Sequence, residues 1–170
     1  MMMKRLLALM LILVVTSSAN AIFIQIDGVS GESAEVVEGA TSVITVVSED
    51  ESSWLGYLVI EDGGTGSLSN AVILDAAGNM ATASPYTEAG WGDGYELTAA
   101  MSPGGNPAIA IGSQFSFDYS GGILGENAQI SLFLSPEYDN PVSSVSVSVI
   151  PEPITIALLG FGALLLRRRK

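Results

Sequence analysis

Along the middle of the chain, apolar and polar residues alternate in short runs. Val145, Val147 and Val149 alternate with serines, and Phe115, Phe117 and Tyr119 alternate with polar residues within Ser113 to Ser120. Ile130, Leu132 and Leu134 share one face of Ala128 to Ser135. A period of two places successive side chains on opposite faces, so each run predicts a half-buried strand. Further runs cover Ile22 to Ile26, Ala34 to Glu38, Thr41 to Ser48, Trp54 to Glu61, Ser67 to Leu74 and Gly94 to Met101. Turn-forming residues separate them, at Asp27-Gly28, Gly39, Asp62-Gly63-Gly64, Asp75 to Asn79 and Ser102 to Pro107. No long helical period appears. About eight or nine short strands in this length predict an all-β fold, a single antiparallel β-sandwich of jelly-roll or immunoglobulin/cohesin-like type.

The two ends of the chain depart from this pattern. Met1 to Arg5 carries Lys4 and Arg5, Leu6 to Val15 is an apolar run of ten, and Ala19-Asn20-Ala21 sets small residues on either side of Asn20. That order is a basic region, an apolar core and an A-x-A site. It predicts a signal helix over residues 1–21, cut after Ala21 by signal peptidase. Ten apolar residues are too few for a spanning anchor. At the other end stands Pro151-Glu152-Pro153, then thirteen uncharged, mostly apolar residues from Ile154 to Leu166, then Arg167, Arg168, Arg169 and Lys170. As a helix the apolar part spans about 20 Å, short of a ~30 Å hydrocarbon core. Flanking residues make up the difference, the arginines and lysine by snorkelling to the headgroups. The basic stop also sets orientation, because Lys and Arg stay on the cytoplasmic side. The two prolines keep the expected membrane helix from running upstream.

The Pro151-Glu152-Pro153 motif, the short apolar segment and the basic cluster together resemble the PEP-CTERM sorting signal of Gram-negative surface proteins. The family often has Val before the motif, where this chain has Ile150. The resemblance implies processing by an exosortase, a membrane protease-transpeptidase. It would cut near the motif and release the upstream body to the cell surface or extracellular polymer. An ordinary single-pass anchor shares the apolar run and the basic stop, but does not require Pro-Glu-Pro at that spacing. The same tail also occurs on some ice-binding proteins, so it says little about the body. The body in turn is similar to cohesin-like and other jelly-roll surface modules, through Gly39 to Val47, Trp54 to Ile60 and Gly112 to Tyr119. Three parts result: a signal peptide over 1–21, a β-sandwich over 22–150, and a sorting tail over 151–170.

Charge sharpens this division. The formal net charge is -12, yet all six Lys and Arg residues lie in the leader and the tail. Of eighteen acids, seventeen lie in the body and the last is Glu152. A body without a base cannot neutralise phosphates, which excludes ordinary nucleic-acid binding. It also argues against docking on anionic lipid. The chain has no Cys and no His. Disulfides, thiol catalysis, Cys/His zinc sites and His general bases are therefore excluded. The fold must rest on its core alone, and a body of this length is sufficient for that.

Three kinds of site remain. The acids cluster at Glu49-Asp50-Glu51, Glu61-Asp62, Asp93, and Glu137 with Asp139, and their oxygens could coordinate calcium. Asp75 to Asn79 lacks the EF-hand pattern, and a solvated acidic surface with turn-forming Asp residues is the favoured account of these groups. No cofactor is otherwise expected. Trp54, Tyr57, Tyr86, Trp91, Tyr95 and Tyr138 could supply a sugar-stacking platform, especially over Tyr86 to Tyr95, or could fill the core. Asp93 and Glu96 are a carboxylate pair of the kind a glycosidase uses. With His, Cys, Lys and Arg missing from the body, the expectation is that it is not an enzyme. The Thr residues do not recur on one face, as an ice-binding plane would need. The expected function is structural or adhesive, at the cell surface or in extracellular matrix, after an inner-membrane-anchored intermediate. The alternative is a carbohydrate- or protein-binding module, taking exopolysaccharide or a surface protein as partner. A carboxylate-dependent hydrolase is the third reading.

Overall fold

The computed structural model describes residues 22–61, 65–87, 91–135, 139–152 and 158. The expected signal helix with Ala19 and Ala21 lies outside the described residues. So do Pro153, Arg167, Arg168, Arg169 and Lys170, and with them the expected membrane helix apart from Leu158. Among the described residues no helix is long and apolar enough to cross a membrane.

Ten strands carry the body: β1 (Ile22–Ile26), β3 (Ser33–Val37), β4 (Thr41–Ser48), β5 (Trp54–Glu61), β6 (Ser67–Ile73), β7 (Thr82–Tyr86), β8 (Trp91–Ala99), β9 (Gly112–Ser120), β10 (Asn127–Leu134) and β11 (Ser143–Ile150). A two-residue β2 (Val29–Ser30) completes a hairpin with β1. That hairpin turns on Asp27 (φ 51°) and Gly28 (φ 79°), the doubly left-handed geometry that matches the twist of paired strands. Asp27 also accepts a 2.8 Å bond from the Val43 amide, which ties the turn to β4.

The strands form two sheets. The first has the order β2-β1-β4-β9-β6, and the second β3-β11-β10-β5-β8-β7. Their inward faces carry the alternating apolar sets. Ile22, Ile24, Ile26, Ile44, Val46, Phe115, Phe117 and Tyr119 come from the first sheet. Leu58, Ile60, Leu97, Ile130, Leu132, Val145 and Val147 come from the second, and all belong to one buried cluster. An all-β sandwich follows from period two wherever two such faces can close on each other.

The fold departs from the expected all-antiparallel pairing in one place. β3 pairs with β11 in parallel, with Ser33 opposite Ser146 and Val37 opposite Ile150. Period two specifies which face a side chain takes, and it is silent on strand direction. Two strands, β2 and β7, stand where no run was expected. β7 reads Thr-Ala-Ser-Pro-Tyr, too small in its side chains to give an apolar signal. Its Pro85 fits an edge strand, which β7 is. Asp75–Ala77, expected as a loop, forms a single 3-10 turn.

The register sets the two poles of the sandwich. Ile22 lies opposite Ser48, and Ser48 opposite Gly112. Ile150 lies at the other end, where the Glu38 amide donates to its carbonyl at 2.9 Å and Thr41 lies opposite Ser120. The first described residue, Ile22, and the strand that leads into the tail therefore occupy opposite poles.

Tyr119 anchors the tail pole. Its ring is fully buried and its hydroxyl donates to the Thr65 carbonyl at 2.8 Å. Burial disfavours the phenolate and raises this hydroxyl above its ordinary value. The neutral form is thus favoured in the folded state. Its stabilisation is complete below the unfolded tyrosine value of about 10 and is lost as pH rises above it. Denaturant melts of wild type and Tyr119→Phe should show this. The variant is expected to be about 1 kcal/mol less stable at neutral pH, from the lost hydrogen bond. Its deficit should shrink above pH 10, and a deficit constant with pH would contradict the assignment.

Candidate functional site

The outer face of the second sheet carries a second, smaller apolar cluster. On β5, Leu58 and Ile60 point into the core, so Tyr57, Val59 and Glu61 point out. Register then aligns outward neighbours: Val59 faces Ser131 of β10 and Gly94 of β8, and Gly94 faces Tyr86 of β7. In the next row Tyr57 faces Phe133 and Glu96. The result is a group of four rings. Tyr57 and Tyr86 lie with centroids 4.5 Å apart, and Trp91 meets both edge-on at 6.2 and 6.1 Å. Trp91 also stacks on Phe133 at 4.7 Å with a 28° interplanar angle. Val59 beneath them is fully buried, although it lies on the outside of the sheet. Tyr57, Tyr86 and Trp91 themselves are half-buried.

A polar group borders the rings. Glu61 accepts from Gln129 at 3.1 Å and from the Ser131 hydroxyl at 2.5 Å, and Ser131 shares a 2.7 Å bond with Ser144. Glu61 stands opposite Trp91, and Glu96 lies between Tyr57 and Ser84. The face is thus aromatic at its centre and acidic at its border, and no cation in the body balances it.

Of the aromatic residues singled out in the sequence, Tyr57, Tyr86 and Trp91 meet on this face. Trp54 and Tyr95 do not. Trp54 donates its indole N–H to Gln114 at 2.7 Å and packs edge-on to Phe115, while Tyr95 packs on Phe117. Both are core residues of the inward set. Tyr138 lies outside the described residues. Phe133 belongs to the face and was not singled out. Its signal is a broken alternation, because it follows Leu132 and precedes Leu134 and so adds an apolar residue on the wrong parity.

The other candidates disperse. Asp93 turns to the neighbouring sheet and accepts the Leu68 amide at 2.8 Å, whereas Glu96 is on the outer face. The two carboxylates therefore do not form a glycosidase pair. Among the described residues no three acids gather into a group that could hold a metal ion. Asp62 and Glu137 lie outside the described residues. In the tail motif, Pro151 is half-buried and Glu152 exposed, directly after β11.

Gly94 lies close against β5, beneath the ring cluster, with no room for a side chain. A methyl group there would sit 2.7 Å from the Val59 side chain and 2.8 Å from the Leu58 carbonyl oxygen, and backbone cannot easily yield. Gly94→Ala is expected to destabilise the protein by about 1–3 kcal/mol. It should also shift the emission of Trp91, read in a Trp54→Phe background. A melting temperature within error of that background would show that the face tolerates a side chain here.

Comparison with known proteins bears on both the tail and the body. Residues 149–170 match the family model described as the PEP-CTERM protein-sorting motif. No curated protein matches the sequence. Among solved structures, the chain is similar to a non-cellulosomal cohesin from the hyperthermophilic archaeon Archaeoglobus fulgidus. The TM-score is 0.50 and the identity 13%, over 81% of this chain and 96% of that one. It is also similar to the third cohesin of ScaC from Acetivibrio cellulolyticus, solved in complex with the ScaB dockerin. There the TM-score is 0.50 and the identity 12%, over 76% of this chain and 99% of that one. The body thus has a cohesin-like all-β sandwich fold, and the chain ends in the PEP-CTERM motif of an exported, exosortase-sorted protein.

Proposed function

We propose that the mature protein is a non-catalytic adhesive module of the cell surface or extracellular matrix, and that it grips a protein partner through the outer face of β10, β5, β8 and β7. The observation that carries this reading is the half-buried ring cluster of Tyr57, Tyr86 and Trp91, which keeps part of its surface in water over Val59 and Phe133. Aromatic anchors in a partly desolvated patch are the usual centres of binding energy at protein interfaces. The acidic border, in a body without a base, favours a partner that presents Lys or Arg. The dockerin bound to the Acetivibrio cohesin also supports a protein ligand. Trp91, stacked on Phe133, supports a second reading in which the face holds a sugar ring of an exopolysaccharide.

Capture of the purified protein on isolated matrix distinguishes the two. Trp91→Ala is expected to weaken capture by roughly 30-fold, the effect of losing about 2 kcal/mol at an interface centre. Protease treatment of the matrix should abolish capture if the partner is protein. Loss after periodate oxidation, but not after protease, would move the assignment to polysaccharide. Capture unaffected by Trp91→Ala would remove the face from the function.

The tail serves as a temporary membrane anchor on the route to the surface. Its thirteen uncharged residues and its basic stop hold the chain until cleavage near Pro151-Glu152-Pro153. Replacing those three residues with alanine leaves the apolar segment intact and removes the cleavage determinant. The variant should stay in the membrane fraction while wild type reaches the surface in shortened form. Mass spectrometry of the surface fraction checks this, and wild-type material still ending at Lys170 would overturn it.

A further inference from the structure

Few residues separate the body from its apolar tail. β11 is paired with β10 as far as Ser148 and with β3 as far as Ile150, and the apolar segment starts at Ile154. Four residue steps span at most about 14 Å. A chain anchored through that segment therefore brings the tail pole of the sandwich against the bilayer.

The surface at that pole carries exposed apolar side chains on a turn next to the tail. The turn over residues 121–126 is fastened to the end of β11. The Gly125 amide donates to the Val149 carbonyl and the Val149 amide to the Glu126 carbonyl, each at 3.1 Å. The turn is closed on itself by Glu126, whose amide donates to the Ile123 carbonyl at 3.0 Å and whose carboxylate accepts the Ile123 amide at 3.3 Å. At its tip Ile123 is 67% exposed and Leu124 44% exposed. Val29, beyond the Asp27-Gly28 turn at the same pole, is also exposed. Two adjacent bulky apolar side chains on a rigid turn, beside the exit of an apolar tail, are placed for an interface of headgroups and upper acyl chains. The far pole exposes apolar side chains too, Met80, Met101, Ile111 and Val142, but none of them adjoins the exit of the tail. That pole is separated from the tail by the length of β11, about 25 Å for eight residues, and cannot reach the same surface.

We propose that Ile123 and Leu124 form a membrane-contact wedge that seats the folded body on the bilayer while the tail is inserted. The inference rests on the reading of the tail as an anchor. The occupant is a phospholipid surface, and the attraction is apolar. Glu38, Glu126 and Glu152 surround the exit, and no base is present to draw the pole to anionic headgroups. Seating fixes the orientation of the body, with the pole that carries Ile22 pointing away from the membrane. It also holds the Pro-Glu-Pro motif at headgroup level, where a membrane protease works.

The absence of native cysteine permits a direct test. Leu124→Cys and, at the far pole, Ser52→Cys are introduced separately into the full chain and reconstituted in phosphatidylcholine vesicles. Flotation measures anchoring, and reaction with a membrane-impermeant maleimide measures water access, each rate normalised to that of the unfolded chain. Co-flotation with the Leu124→Cys thiol reacting about ten-fold more slowly than the Ser52→Cys thiol supports the wedge. Co-flotation with equal rates overturns the wedge and leaves the anchor standing. Failure to float overturns both. A label at Ile123→Cys should repeat the Leu124→Cys result, and a fast rate there with a slow rate at position 124 would point to burial within the protein instead and overturn contact with lipid.

Discussion

Closure of two alternating faces on one another is the interaction from which the rest of this molecule follows. The body has no disulfide, and without a single basic side chain it can form no ion pair between side chains. Its stability must come from apolar burial and the strand ladders. Phe115, Phe117 and Tyr119 of β9 meet Leu58, Ile60, Ile130 and Leu132 across the sandwich, each fully buried. Each such side chain contributes about 1.5–3 kcal/mol by leaving water. Among the described residues no acid is buried. This explains how a body so one-sided in charge can fold, and why its carboxylates bond to backbone amides rather than to cations, as Asp27 does to Val43 and Asp93 to Leu68.

Having committed one face of each sheet to the core, the chain uses the other faces differently. β11 sets serines outward, and Ser144 joins Ser131 and Glu61 in a hydrogen-bonded patch. β5, β7, β8 and β10 set rings outward around Val59. The difference lies within a single sheet, so it is not a matter of general packing. One half of that outer surface is a hydroxyl-lined wall and the other an aromatic platform.

Much of this could be read from the alternation itself. The Val-Ser pattern of β11 and the Phe115-Phe117-Tyr119 pattern of β9 specify both strand and inward face. What escaped reading has distinct causes. The direction of β3 escaped because a strand buries the same face whether its neighbour runs parallel or antiparallel. β7 escaped because Thr82, Ala83 and Ser84 bury too little to announce a strand, which an edge position tolerates. The ring cluster was only half legible. Tyr57 and Trp54 lie on the same strand, and an odd separation of three residues sends one out and the other in. Tyr86 and Trp91 come together with Phe133 only through register across four strands, and register is not written in any one of them.

The segregation of charge has a consequence for persistence outside the cell. Between Leu6 and Leu166 there is no lysine and no arginine. A trypsin-type protease therefore has no bond to cut in residues 22–150. Amine chemistry likewise finds no side chain, which leaves only the α-amino group of the terminal residue. The body is resistant to a whole class of digestive enzymes by composition alone, whatever the rigidity of the fold.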